Sequence, residues 1–233
     1  MDIIQTLAQQ LNLTAEQVGK TVQLIDEGNT IPFIARYRKE VTGSLDDSVL
    51  RTLDEKLTAL RNLAQRKQEV QDLIGAQGKL TEEVRAAIER AATVTEVDDI
   101  YRPFRPKRKT RASVARERGL EDLAILLFAQ EKSYTPSIEE QAARFVDPER
   151  EVPDVAAALQ GAMDIVAEEV SDNADYRREL RRLTFDAGSL TSKAAKEEDS
   201  VYAMYYDFSE PLRKLPGHRI LAINRGEKEE FLK

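Results

Sequence analysis

The stretch LDDSVLRTLDEKLTALRNLAQRKQEVQDLI, Leu45–Ile74, decides the fold. Leu50, Leu53, Leu57, Leu60 and Ala64 recur at spacings of three and four, the interval that lines up side chains on one face of an α-helix. Lys67 and Gln71 break that stripe, and Leu63, Val70, Leu73 and Ile74 carry the apolar face sideways. The heptad pattern is too brief for a free coiled coil. The reading is one helix, roughly 45 Å long at ~1.5 Å per residue, on which shorter helices pack. Ser44 is its expected cap, with Asp47 in the first turn.

N-terminal to this spine, Ile3, Ile4, Leu7 and Leu11 predict a first short helix. Thr14-x-x-Gln17 is a capping box that opens a second, which carries Val18, Val22 and Ile25 and stops at Gly28. Pro32 starts a third at its first turn, with Ile31, Ile34 and Ala35 inward and Phe33 on a flank. Three short helices with tight turns also look like a helix-turn-helix. Arg36, Arg38 and Lys39 are then candidate nucleic-acid contacts. Ordinary helix-end charge is the preferred explanation, because recognition usually draws on groups early in a helix.

C-terminal to the spine, Gly75–Gly78 is a turn. Thr81 caps a returning helix with Val84, Ile88 and Ala91, and Val94, Val97 and Ile100 mark another. Leu120, Leu123, Ile125, Leu126, Leu127 and Phe128 predict a helix buried on most sides. Ser137-x-x-Glu140 is a further capping box. Pro153-Asp154 opens an amphipathic helix in which Ala156–Ala158, Gly161 and Ala162 permit close contact. Asn173 or Asp172 caps the next, whose Arg177, Arg178, Arg181 and Arg182 read as a solvated face. Residues 191–200 read as a surface segment, and Val201–Phe208 as helix or strand. Ile220–Ile223 and Phe231-Leu232 are expected to be partly exposed.

The class is therefore all-α, a multi-helix region with one long central helix. Residues 1–210 are expected to form an interlocked body, with lobes 1–74 and 79–210 if it divides. Residues 211–233 are expected to connect onward. The 233 residues hold no Cys, which removes disulfides and thiolate metal sites and fits a reducing cytoplasm. The N-terminus lacks a basic signal segment, and no apolar run approaches the ~20 residues that span a bilayer.

One segment departs from an acidic background. Tyr101–Leu120, YRPFRPKRKTRASVARERGL, contains eight basic residues and one acid, in a chain of net charge −7. Pro103 and Pro106 keep residues 101–109 out of regular helix, and a helix restarts near Ala112 and stops at Gly119. Arg102, Arg105, Lys107, Arg108, Lys109 and Arg111 are the candidate nucleic-acid-binding residues, as a phosphate-binding edge. In the competing reading Tyr101 and Phe104 pin the arm to the core, and acids such as Asp98 and Asp99 neutralise it. The second is preferred until a concave partner surface is found, and the two can coexist.

Catalytic chemistry has little to stand on. The lone His218 follows Pro216-Gly217 as a helix-start or packing residue, and the ten glycines form no phosphate loop. No cofactor and no metal are expected.

Three blocks carry a resemblance: IPFIARYRKEVTGSLDD at Ile31–Asp47, YRPFRPKRKTRASVARERGLEDLA at Tyr101–Ala124, and YYDFSEPLRKLPGHRILAINRGEKEE at Tyr205–Glu230. In this order they resemble the opening of bacterial Tex-type transcription accessory proteins. The resemblance implies a helical N-terminal region followed elsewhere by a YqgF-like RNase H-fold domain, a helix-hairpin-helix module and an RNA-binding OB-fold. It implies a non-catalytic scaffold whose partners are those later domains, RNA or DNA, and the transcription machinery, with no membrane. The alternative is direct, weak, sequence-independent binding of nucleic acid by the arm at 102–111.

Overall fold

The computed structural model describes residues 2–106, 109–131, 136–196 and 198–233. The chain is predominantly α-helical, and the described residues contain one small two-stranded sheet. It divides into two compact units, Met1–Pro106 and Lys107–Lys233.

The first unit runs α1 (Ile3–Leu11), α2 (Ala15–Asp26), α3 (Ile31–Tyr37), α4 (Lys39–Thr42), α5 (Asp47–Gly75), α6 (Glu82–Arg90) and α7 (Val94–Tyr101). Thr14 and Gln17 form the reciprocal cap of α2, and Thr81 caps α6. The spine starts later than its expected cap. Gly43 and Ser44 both have left-handed backbones, which an N-cap cannot use, and the Asp46 carboxylate accepts from the Val49 N–H at 2.9 Å instead. Along its length α5 feeds three clusters in turn. Leu50 joins Leu24, Ile34 and Leu45. Leu53 and Leu57 join Leu7, Val18 and Val22. Leu63, Val70 and Ile74 join Ile88, Val97 and Tyr101. That third cluster is why the turn at 75–78 lies inside this unit and does not separate lobes at 74 and 79: α6 and α7 fold back on the end of the spine. The division falls at Pro106 instead.

The second unit runs α8 (Arg111–Glu117), α9 (Glu121–Ala129), α10 (Ile138–Ala142), α11 (Val155–Asp172), α12 (Ala174–Ala187), β1 (Ser189–Lys193), β2 (Asp207–Pro211) and α13 (Gly217–Lys228). Its main cluster joins Ala112, Ala115, Leu120, Leu123, Ala158, Ala162 and Ile165. The small residues of α11 let α8 come close, as their composition predicts. α9 is not buried on most sides. It buries Leu123 and Ala124, while Ile125 stays 64% exposed and Phe128 is exposed too. Its burial comes from one flank, where α11 covers it. β1 and β2 pair antiparallel, Ser189 opposite Pro211 and Lys193 opposite Asp207. Thr191–Lys193 is therefore strand, and Val201–Phe208 is a 3₁₀ turn (Ala203–Tyr205) leading into β2.

Residues 211–233 belong to this unit. Ile223 and Leu232 are buried with Tyr202 and Tyr205, and Lys193 and Lys233 exchange backbone hydrogen bonds at 2.9 Å. Of the Ile220–Ile223 run only Leu221 faces solvent.

Candidate nucleic-acid interface

The basic arm begins where α7 ends. Tyr101 is buried in the third cluster of the first unit, and Arg102–Phe104 form a single 3₁₀ turn around Pro103. Gln77 holds that turn by donating Nε2 to the Phe104 carbonyl at 3.0 Å. Arg105 lies 3.3 Å from Asp98 and places its guanidinium 5.4 Å from the centre of the Tyr101 ring. Arg66, on the spine, uses the same two partners. Its Nη2 and Nε donate to Asp98 at 2.6 and 2.9 Å, and its guanidinium is 5.7 Å from the ring. The hydrogen bond to Asp98 raises Arg66 above the usual arginine value. One carboxylate and one aromatic ring thus serve two arginines, and the expected neutralisation runs through Asp98. Arg102 is half-buried and also has an interaction partner.

Lys107 and Arg108 lie outside the described residues. Beyond them, Thr110 opens α8 with a reciprocal cap to Ser113 and donates its hydroxyl to Glu168 of α11 at 3.0 Å. Arg116 donates to Glu168 at 2.7 Å and Glu169 at 2.6 Å, and lies 3.5 Å from Glu121. Arg118 pairs with Glu151. Lys109 and Arg111 are held more loosely, 3.7 Å from Glu117 and 3.5 Å from Asp164, and the Arg111 side chain is 86% exposed. These two line one side of a concavity of about 450 Å³ between α8 and α11, which Arg118, Gln160 and Asp164 help to close. The arm is thus divided: Arg102 and Arg105 belong to the first unit, Lys109 and Arg111 to the second.

Arg36, Arg38 and Lys39 are at the end of α3 and the start of α4, in the first unit. Among the described residues no carboxylate lies within ion-pair distance of any of them. Arg38 lays its guanidinium 5.2 Å from the Phe33 ring centre and donates to the Tyr37 carbonyl at 3.1 Å. Phe33 and Tyr37 were not among the sequence candidates, yet both are exposed. The signal was present: Phe33, Arg36 and Tyr37 are spaced i, i+3, i+4, while Ile34 alone is fully buried.

Elsewhere the arginines of α12 behave as a solvated face, with Arg178 on Asp175 and Arg182 on Glu179. His218 lies in the first turn of α13. Among the described residues no three His, Asp or Glu side chains converge to hold a metal ion, and no helix is long and apolar enough to cross a membrane.

A predominantly α-helical chain whose basic segment is tied to carboxylates and an aromatic ring is a helical module. Residues 1–75 match the family model of the Tex-like protein N-terminal domain, and residues 133–233 match that of the Tex central region. "Protein tex" of Bordetella pertussis is 44% identical over 99% of this chain and 29% of the relative. "Transcriptional accessory protein Tex" of Neisseria gonorrhoeae is 39% identical over 100% of this chain and 30% of the relative. The human "S1 RNA-binding domain-containing protein 1" is 30% identical over 99% of this chain and 24% of the relative. The chain belongs to the Tex family. It spans about a third or less of the length of these relatives.

Proposed function

We propose that this chain is a non-catalytic helical scaffold within a Tex-type transcription accessory protein, one that supports nucleic-acid binding and association with the transcription machinery. On this reading the protein works in the cytoplasm, and its nearest partners are further domains of the longer protein. The observation that carries the reading is the fate of the basic arm. Arg105 is spent on Asp98 and Tyr101, and Arg116 on Glu168 and Glu169. Cations held this way stiffen each unit and leave less charge for an outside phosphate.

A second reading, weak and sequence-independent binding of RNA or DNA by residues 102–111, is favoured by one feature. Among the described residues Lys109 and Arg111 keep only long ion pairs, at the rim of a concavity. One experiment separates the two. Arg105, Lys107, Arg108 and Lys109 are replaced together by Gln, and anisotropy of a labelled single strand across a salt titration is read beside thermal melts. The scaffold reading expects a lower Tm and an unchanged salt slope. A flattened salt slope with an unchanged Tm supports the arm as a binding edge instead.

A further inference from the structure

We infer that α3 and the start of α4 form a platform for unpaired nucleic acid, with Phe33 and Tyr37 stacking on a base and Arg36, Arg38 and Lys39 holding the adjoining phosphates. This platform is separate from the basic arm, and it does not depend on the scaffold reading.

The argument starts from what a short helix normally does with aromatics. Ile34 is completely buried against Leu24, Leu45 and Leu50, and it anchors α3. Phe33 and Tyr37 lie on a different face, one turn apart, at 37% and 61% exposure. Their ring centres are 5.2 Å apart with planes tilted 46°. Water is a poor medium for two large rings, and nothing in the unit covers them fully. Arg38 packs on Phe33 and is tied to the Tyr37 carbonyl, so the cluster is held in shape before any ligand arrives.

Charge decides what this face suits. The chain is acidic overall, and the other arginines of this unit mostly find a carboxylate: Arg51 on Asp47, Arg61 on Asp26, Arg66 and Arg105 on Asp98. Arg36, Arg38 and Lys39 do not, although neutralising acids are abundant. Three cations without a carboxylate partner, beside two partly exposed aromatic rings, suit a flat ring joined to an anion. An unpaired nucleotide is that chemistry, since every base has a π-face and each carries a phosphate. A duplex hides its base faces, so it offers only the anion. An acidic peptide offers charge and no ring to stack.

The test uses the 233-residue protein with 5′-labelled dT12, rU12 and a 12-base-pair duplex, read by anisotropy at several salt concentrations. Two double variants are compared. F33L/Y37L keeps apolar cover and removes the rings. R36Q/K39Q keeps the rings and removes two charges. The expected result is that both single strands bind more tightly than the duplex. F33L/Y37L should weaken that binding at least tenfold. R36Q/K39Q should flatten the plot of log K against log salt by about 1.4, or ~0.7 per lost contact. Comparable values for dT12 and rU12 mean that the shared chemistry is read. A preference for rU12 adds recognition of the ribose and supports the site equally. Circular dichroism and melts confirm that each variant is folded, and an unfolded double variant is replaced by Y37L alone, whose side chain is the more exposed. The proposal is overturned if folded F33L/Y37L, or Y37L, binds single strands as wild type does. It is also overturned if the duplex binds as tightly, if neither strand binds, or if a 12-residue poly-Glu peptide displaces dT12 at equal concentration.

Discussion

Gly161 on α11 faces Leu120 so closely that a Cβ at position 161 would stand 2.4 Å from the Leu120 Cδ1. Ala115 of α8 would be 3.3 Å away. The glycine is what lets α11 accept both neighbours. Gly161→Ala should gain about 1 kcal/mol of helix propensity and lose about 1–3 kcal/mol to overpacking around a buried leucine. The expected net effect is a loss of about 1 kcal/mol, seen as a Tm lower by ~2–4 °C. An unchanged or higher Tm would mean that Leu120 turns aside at no expense.

On the spine, Leu57 is 1% exposed, whereas Leu73 on the same helix is open to solvent. Leu57→Ala should cost about 2–5 kcal/mol in urea unfolding, and Leu73→Ala less than about 0.5 kcal/mol. Equal losses at the two positions would contradict the assignment of the buried face.

Glu168 receives the Thr110 hydroxyl and the Arg116 guanidinium together. Arg116→Gln takes the guanidinium away from a mostly buried carboxylate. The expected loss is about 1–3 kcal/mol, between the values for exposed and buried pairs. Arg116→Gln/Glu168→Gln should recover part of it, and a double-mutant cycle measures the coupling. A coupling near zero would show that the pair does not hold α8 on α11.

Stability should also respond to acid. Hydrogen bonding to Arg61 holds Asp26 below the usual Asp range, and the Val49 N–H does the same for Asp46. A carboxyl lowered in the folded state contributes stability above its unfolded value and loses it as pH falls through the folded one. The melting temperature should therefore be nearly flat from about pH 7 to 5 and fall below about pH 4. Arg61→Gln should make that fall shallower, by a small amount because the pair is exposed. A Tm that rises on acidification through pH 4 would reverse the sign of this argument.

Much of the fold was legible because it rests on local chemistry. The reciprocal caps at Thr14 and Ser137 and the three-four spacing of Leu50, Leu53 and Leu57 require no knowledge of distant partners. What was not legible was tertiary. Nothing local says that Ile125 lacks a cover or that Leu232 meets Tyr202. Likewise the division at Pro106 follows from α6 and α7 returning to Val70 and Ile74, a long-range choice. Of the candidate interface, the cations and the neighbouring carboxylate Asp98 were visible in the sequence, but the distant partners were not. Asp98 is near in sequence to Arg105, yet Arg66 and Glu168 are far from the residues they engage. Ser44 shows the limit even of local rules, because a left-handed backbone overrode a good capping residue.

The three clusters along α5 are distinct, yet one continuous 29-residue helix supplies side chains to each. Such an element behaves as an axle and not as a core. Loosening one end removes the footing of the other, since a helix loses cooperativity when it is cut short. Met1–Pro106 should therefore melt in a single transition despite its divided interior, and its slowest-exchanging amides should lie mid-helix, from Leu53 to Val70.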